Sequence, residues 1–310
     1  MKNKKFQKIL IIFILIISLS GCTKTLTDSD NKPVKYEKTG QNVTENIICK
    51  PTDKNLIKIY EENKQDISKL PECDDLKIAG EYEGLWNTIF VRPLAFIIIN
   101  LSKLVGSIAI SLIIITLILR GILYPITKKT AIQSEMMKKA QPEIAKIEKK
   151  YANKTDQESM NKKGQEMLAI YKKYKINPMS GCIFAFLQLP ILLAFWEAIQ
   201  RVPASYEETF IGINMGITPW TAISDGSWYY LIIPALIVVT TYFSYKNTKQ
   251  IQNKDNMMAK QTNMMMNFMT IFIGFMAFTL PTAIAFYWVT SSVFTIVQNK
   301  LVNRSVRNEK

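Results

Sequence analysis

The 310-residue sequence contains no histidine. That removes the commonest general base and the commonest metal ligand, so hydrolase triads and zinc sites built on imidazole are excluded. Nor does it carry a phosphate-binding loop of the GxxxxGK[ST] type, paired aspartates within its apolar runs, or metal-ligand spacing of cysteines. No enzyme chemistry and no cofactor are expected. An internal repeat is also lacking, which argues against a transporter built from two related halves. Acidic residues are outnumbered: 39 Lys and Arg face 25 Asp and Glu, for a net charge of +14. In a chain with long apolar runs, such an excess speaks first of topology and lipid headgroups and only then of nucleic acid; DNA is not an expected partner.

What is present falls into two populations. Hydrophobic residues make up 48% of the sequence, yet mean hydropathy is only +0.06, because long apolar stretches alternate with lysine-rich polar ones. This is the pattern of a multispanning membrane protein. The organising stretch is residues 104–126, centred on Arg120. About 23 residues at ~1.5 Å each cross a hydrocarbon core of ~30 Å. Arg120 sits eight residues before Lys128, roughly 12 Å inside a boundary placed there. An arginine at the centre of a span costs about 2.5–3.5 kcal/mol. No carboxylate lies within one turn of it in sequence. Either Arg120 snorkels to the boundary, or it lines a hydrated groove, which is the reading preferred.

The N-terminus has the form of a secretory signal: Lys2, Lys4, Lys5 and Lys8, an apolar run, then Leu19-Ser20-Gly21-Cys22. That ending resembles the lipobox of bacterial lipoproteins, which implies cleavage after residue 21, lipidation of Cys22 and an external, acyl-anchored N-terminus. Residues 22–83 read as an extracytoplasmic polar tether with one short helix between Asn55 and Leu70. Cys49 and Cys73 both fall here, in an oxidising compartment that permits pairing, although spacing alone does not decide it. Residues 84–102 read as an amphipathic helix lying in the interface, with Trp86, Ile89, Phe90, Leu94 and Ile97 on one side. An additional span or a re-entrant segment is the rival reading.

Residues 127–176 carry 13 Lys against 6 Asp or Glu. Ile132, Met136, Ala140, Ile144, Ile147 and Tyr151, then Met160, Gly164, Met167, Tyr171 and Tyr174, recur at helical spacing. They predict an antiparallel hairpin of two helices, with Pro142 kinking the first. Such a basic hairpin suits anionic headgroups or ribosomal RNA; a solvated spacer is the plain alternative. Further spans are expected over residues 177–200, 228–245, 264–281 and 282–299. The external loop 201–227 has one basic residue and the turn at Pro281 none, whereas loop 246–263 and tail 300–310 have four each. With the hairpin inside, every basic segment is cytoplasmic. The fold class is therefore an all-α membrane protein with five spans, N-terminus out and C-terminus in. Gln188 lies deep enough to need a partner, and Glu197 near the outer boundary reaches water.

Several stretches together resemble the YidC/Oxa/Alb family of membrane-protein insertases, over roughly residues 84–301. They are Gly84-Leu85-Trp86; Arg120 followed by Tyr124-Pro125; Gln141-Pro142-Glu143-Ile144; Asn177-Pro178-Met179-Ser180-Gly181-Cys182; Gln188-Leu189-Pro190-Ile191; and Ala285-Phe286-Tyr287-Trp288-Val289-Thr290-Ser291-Ser292. The chain departs from the family around Phe184, at Thr282-Ala283 and at Ser292, positions that concern helix packing. The resemblance implies an insertase in the bacterial plasma membrane, with a groove lined by Arg120, Gln188 and Trp288. It implies nascent membrane proteins as clients, and the Sec translocon, ribosomes, the signal-recognition pathway and membrane lipids as partners. A small solute transporter using the same arginine, or an assembly factor whose Arg120 only snorkels, are the alternatives.

Overall fold

A computed structural model describes residues 23–80, 82–177, 180–246 and 257–308; of the helical residues 180–187, 257–259, 261–262 and 307, only the backbone is described. The signal sequence, Cys22 and most of loop 246–263 lie outside the described residues. The chain is mostly helical and forms two compact units. One comprises residues 1–118, 186–235 and 276–290, and the other residues 119–185, 236–275 and 291–310.

In the first unit, residues 23–80 form a small folded lobe rather than the open tether expected from their polarity. A two-stranded hairpin, β1 (Lys35–Tyr36) and β2 (Gln41–Asn42), precedes helix α1 (Lys54–Glu62). Helix α1 starts at Asp53, whose carboxylate accepts from the backbone N–H groups of Asn55 and Leu56. Leu26, Tyr36, Val43, Ile47, Leu56 and Tyr60 form its core. These apolar residues are scattered singly among lysines and aspartates, so no periodic stripe announces them. A Cys49–Cys73 disulfide, with Cα atoms 4.7 Å apart, closes the lobe.

A five-residue π-helical turn (Asn87–Val91) leads into α2 (Arg92–Val105), ended by Gly106 at φ 75 in the left-handed conformation favoured by glycine. The wider turn shifts the helical phase. Trp86 is consequently buried, while Ile89, Phe90 and Ile97 are exposed, correcting the single shared face expected for these residues. The buried face is instead Val91, Ala95, Ile98 and Ile99. Both ends of α2 hold the lobe. Arg92 donates to the carbonyls of Lys77 (3.3 Å) and Ala79 (3.1 Å), and Lys103 bonds the carbonyl of Asp74.

Helix α3 (Ile108–Lys150) is 43 residues long and continues through Pro125 and Pro142. It begins later than residue 104, because Leu104 belongs to α2. Its N-terminus is capped by Glu208, which accepts from the Ser107 hydroxyl (2.7 Å) and the Ile108 N–H (2.6 Å). A carboxylate there satisfies orphan donors and meets the positive end of the helix dipole.

In the second unit, the C-terminal part of α3 packs against α4 (Gln157–Lys173), whose N-cap is Asp156. Ala140, Ile144, Ile147 and Tyr151 meet Met167, Ile170, Tyr171 and Ile176 in one cluster. Outside it, Lys150 pairs with Glu166 and Lys173 with Glu143, both at 2.6 Å. Those pairings make the two arms antiparallel.

The remaining elements are α5 (Ser180–Arg201), α6 (Ala204–Glu207), the hairpin β3 (Thr209–Phe210) and β4 (Ile213–Asn214), and α7 (Pro219–Ser224). They are followed by α8 (Ile232–Lys246), α9 (Met257–Thr279) and α10 (Thr282–Asn308). Helix α10 continues unbroken through residues 300–308 of the basic tail. Among the described residues, three helical stretches are long and apolar enough to cross a membrane: Asn87–Val105, Ile108–Lys150 and Trp228–Lys246.

Candidate functional site

Around Arg120, helix α3 has only apolar neighbours on either side along the chain: Leu117, Ile118 and Leu119 before it, Gly121, Ile122 and Leu123 after it. A guanidinium in such a helix has to find polar company across an interface. Arg120 is 8% exposed and donates to the hydroxyl of Ser291 on α10. Seven residues further along α3, the Thr127 hydroxyl donates to Gln298 Oε1 at 3.0 Å, again on α10. Both pairs are separated by 171 positions, so the helices advance in step and run parallel. The neutral polar residues Ser291 and Gln298, which also read as ordinary interhelical bonding, supply this seam.

Gln188 and Trp288 belong to the first unit. Gln188 Nε2 donates to the Tyr287 hydroxyl at 2.5 Å, and the Tyr287 ring stacks on Phe195 with centroids 4.4 Å apart. Trp288, next in sequence to Tyr287, is half-buried. Gln188 on α5 and Tyr287 on α10 thus meet across a helix–helix interface within the first unit, where a polar atom needs a bonded partner.

Sequence reasoning missed a second polar cluster. Arg201 ends α5, and its side chain is 1% exposed. Its Nε donates to the Asn46 carbonyl (2.7 Å), one terminal nitrogen to Asn87 Oδ1 (2.7 Å) and the other to Glu83 Oε2 (2.5 Å). Glu197, one turn earlier, is also buried, correcting the expectation that it reaches water. It accepts from Trp86 Nε1 at 2.8 Å and lies 3.9 Å from Arg201. The arginine thereby joins α5 to the lobe and to the start of the α2 segment. Only the i, i+4 spacing of Glu197 and Arg201 hinted at this in the sequence.

The polar groups of these clusters bind and position one another. The sequence profile of the family described as "60Kd inner membrane protein" matches residues 100–309. A "Membrane protein insertase YidC" of Oceanobacillus iheyensis is 32% identical over 247 residues, covering 78% of this chain and 93% of that protein. A "Membrane protein insertase YidC 1" of Listeria monocytogenes is 32% identical over 234 residues, 75% of this chain and 77% of its own length. "Membrane protein insertase MisCA" of Bacillus subtilis is 31% identical over 236 residues, 75% of this chain and 85% of that protein. With its profile matched over most of the length and its arginine held in an apolar helix, the chain belongs to the 60Kd inner membrane protein family, that of the YidC insertases.

Proposed function

We infer that this chain works as its relatives are named to work, as a membrane protein insertase acting on nascent membrane proteins in a bacterial membrane. The family is one of insertases and chaperones rather than enzymes. The observation that carries the mechanism is Arg120, buried in an apolar helix against Ser291. In the proposed mechanism Arg120 lines a hydrated groove and draws in the acidic extracellular tail of a client. Gln188 and Trp288, the family's other groove positions by resemblance, meet the same client. The low dielectric strengthens that attraction, and partition of the client's apolar segment into lipid drives insertion without ATP.

The proposed topology has five spans, with residues 104–126, 177–200, 228–245, 264–281 and 282–299 as their cores. The hairpin and tail lie in the cytoplasm, and the lobe lies outside, held by an acylated Cys22. The parallel course of α3 and α10 supports it, since a first and a fifth span must run the same way. Helix α2 is assigned to the interface. Arg92 and Lys103 lie ~16 Å apart along its axis, and both reach residues 74–79 of the polar lobe. A helix held at both ends by one short polar segment lies along it and does not cross away from it. The Sec translocon, ribosomes, the signal-recognition pathway and lipids are the partners that go with this role.

A photo-crosslinking residue at position 188 tests the reading. Presented with a ribosome-bound nascent single-span protein, it should crosslink as the apolar segment emerges and lose the crosslink as the client matures. Successful insertion with no crosslink would assign Gln188 to packing and remove it from the client path. A solute transporter, the other use of a buried arginine, would be revealed by solute flux in proteoliposomes lacking any nascent chain.

A further inference from the structure

The β3–β4 hairpin has a two-residue turn of Ile211 and Gly212, with φ of 49 and 75. Tight two-residue hairpin turns of this kind normally take Asn-Gly or Asp-Gly, because the first position is left-handed. A β-branched residue there is strained, and a soluble surface offers no reason to keep one. Yet Ile211 is 83% exposed.

The turn is also held from below. The Phe210 ring meets Phe286 edge-on at 5.6 Å, and the Tyr230 hydroxyl accepts from the Asn214 N–H at 2.8 Å. The carbonyls of Met215 and Ile217 cap the first turn of α10 through Ala283 N and Thr282 N. An apolar tip is thus presented on a braced support.

Exposed aromatic residues follow the hairpin in the chain, and the Tyr229 hydroxyl donates to the Gly212 carbonyl in its turn at 3.4 Å. Trp220, Trp228 and Tyr229 are each more than half exposed, as is Ile232 at the start of α8. Between Thr209 and Tyr245 the sequence has one charged residue, Asp225. The Trp228–Lys246 stretch that follows directly is one of the three of membrane-spanning length. Tryptophan and tyrosine beside the end of such a helix are the residues of the membrane interface.

We propose that Ile211, with Trp220, Trp228 and Tyr229, forms a lipid-binding anchor whose hairpin tip enters the outer leaflet at the boundary between headgroups and acyl chains. The lack of charge suits a neutral interface rather than attraction to anionic headgroups. Continuity with the start of α8 favours lipid over a protein partner. The choice of leaflet rests on the topology proposed above.

The test places a polarity-sensitive fluorescent amino acid at position 211 of the full chain in lipid-only nanodiscs, with the same probe at position 62 of the lobe as an aqueous reference. The anchor predicts blue-shifted emission at 211, and quenching by lipids carrying a nitroxide near the headgroup that is severalfold stronger than at 62. Emission and quenching equal to those at 62 would overturn it. A blue shift that arises only in native membrane fragments would also overturn it, by giving the patch to a protein. Insertion of a single-span client by the same labelled protein is followed in parallel. Retained insertion without a depth signal refutes the anchor alone, whereas a depth signal without insertion leaves it standing apart from the function.

Discussion

At the scale of single residues, charge and backbone conformation each make a separable demand. Arg120→Ala should cut insertion of acidic-tailed clients at least about tenfold, the equivalent of ~1.4 kcal/mol, and Arg120→Lys should retain most of it, because the attraction depends on charge. A reconstituted insertion assay decides, and complete loss with lysine would show that the guanidinium's hydrogen-bonding geometry matters more. Arg201 is different, because two of its partners are carboxylates of the chain itself, Glu83 and Glu197. Arg201→Ala leaves the buried Glu197 without its counter-charge, and breaking a buried pair costs about 3–5 kcal/mol. Proteolysis of residues 23–80 should accelerate in that variant, while an unchanged rate would mean the lobe is held by its other contacts. Ile211→Asn should raise stability by roughly 1 kcal/mol through relief of left-handed strain, read as a higher thermal midpoint.

At the scale of elements, the hairpin of α3 and α4 combines an apolar seam with charged stitches. Ile144 is fully buried in that seam, so Ile144→Ala should cost about 2–5 kcal/mol, seen as lost helicity in the 127–176 region by hydrogen exchange. Lys173 beside Glu143, and Lys150 beside Glu166, hold the two carboxyls below the usual glutamate range. The same bonds raise both lysines. A lowered carboxyl contributes stability above its unfolded pKa and loses it as pH falls through the folded one. A raised lysine contributes below its unfolded pKa and loses it as pH rises through the folded one. The stitches should therefore hold across the neutral range and weaken in acid below the ordinary glutamate region and in alkali beyond the ordinary lysine region. Helicity followed against pH at fixed temperature would show both edges. These seams were readable because Ala140, Ile144, Ile147 and Tyr151 repeat with the period of the helix. The phase slip at Asn87–Val91 was not, since a π-helical turn leaves no local pattern and is decided by which side chains find a packed site.

At the scale of the whole molecule, what the sequence conceals is contact between distant segments. Polar composition made residues 23–80 look like a tether, although Leu26 and Val43, or Tyr36 and Leu56, meet only through the fold. The Arg120 seam was half legible: an arginine in an apolar run is conspicuous, but nothing local names Ser291. Loss of the Cys49–Cys73 disulfide, by Cys73→Ala, should destabilise the lobe by ~3 kcal/mol on the loop-entropy account. Faster cleavage confined to residues 23–80, with the membrane helices unaffected, would verify it.

The 171-residue gap between Arg120 and Ser291 has a consequence for how the protein is made. At about 5–20 residues per second, synthesis delivers Ser291 roughly 10–30 s after Arg120. In the proposed topology the guanidinium spends that interval at membrane depth before the Ser291 hydroxyl is available, at a depth where a central arginine costs up to about 2.5–3.5 kcal/mol. A newly made copy is thus itself a difficult client, and its own biogenesis should depend on insertases already present in the cell.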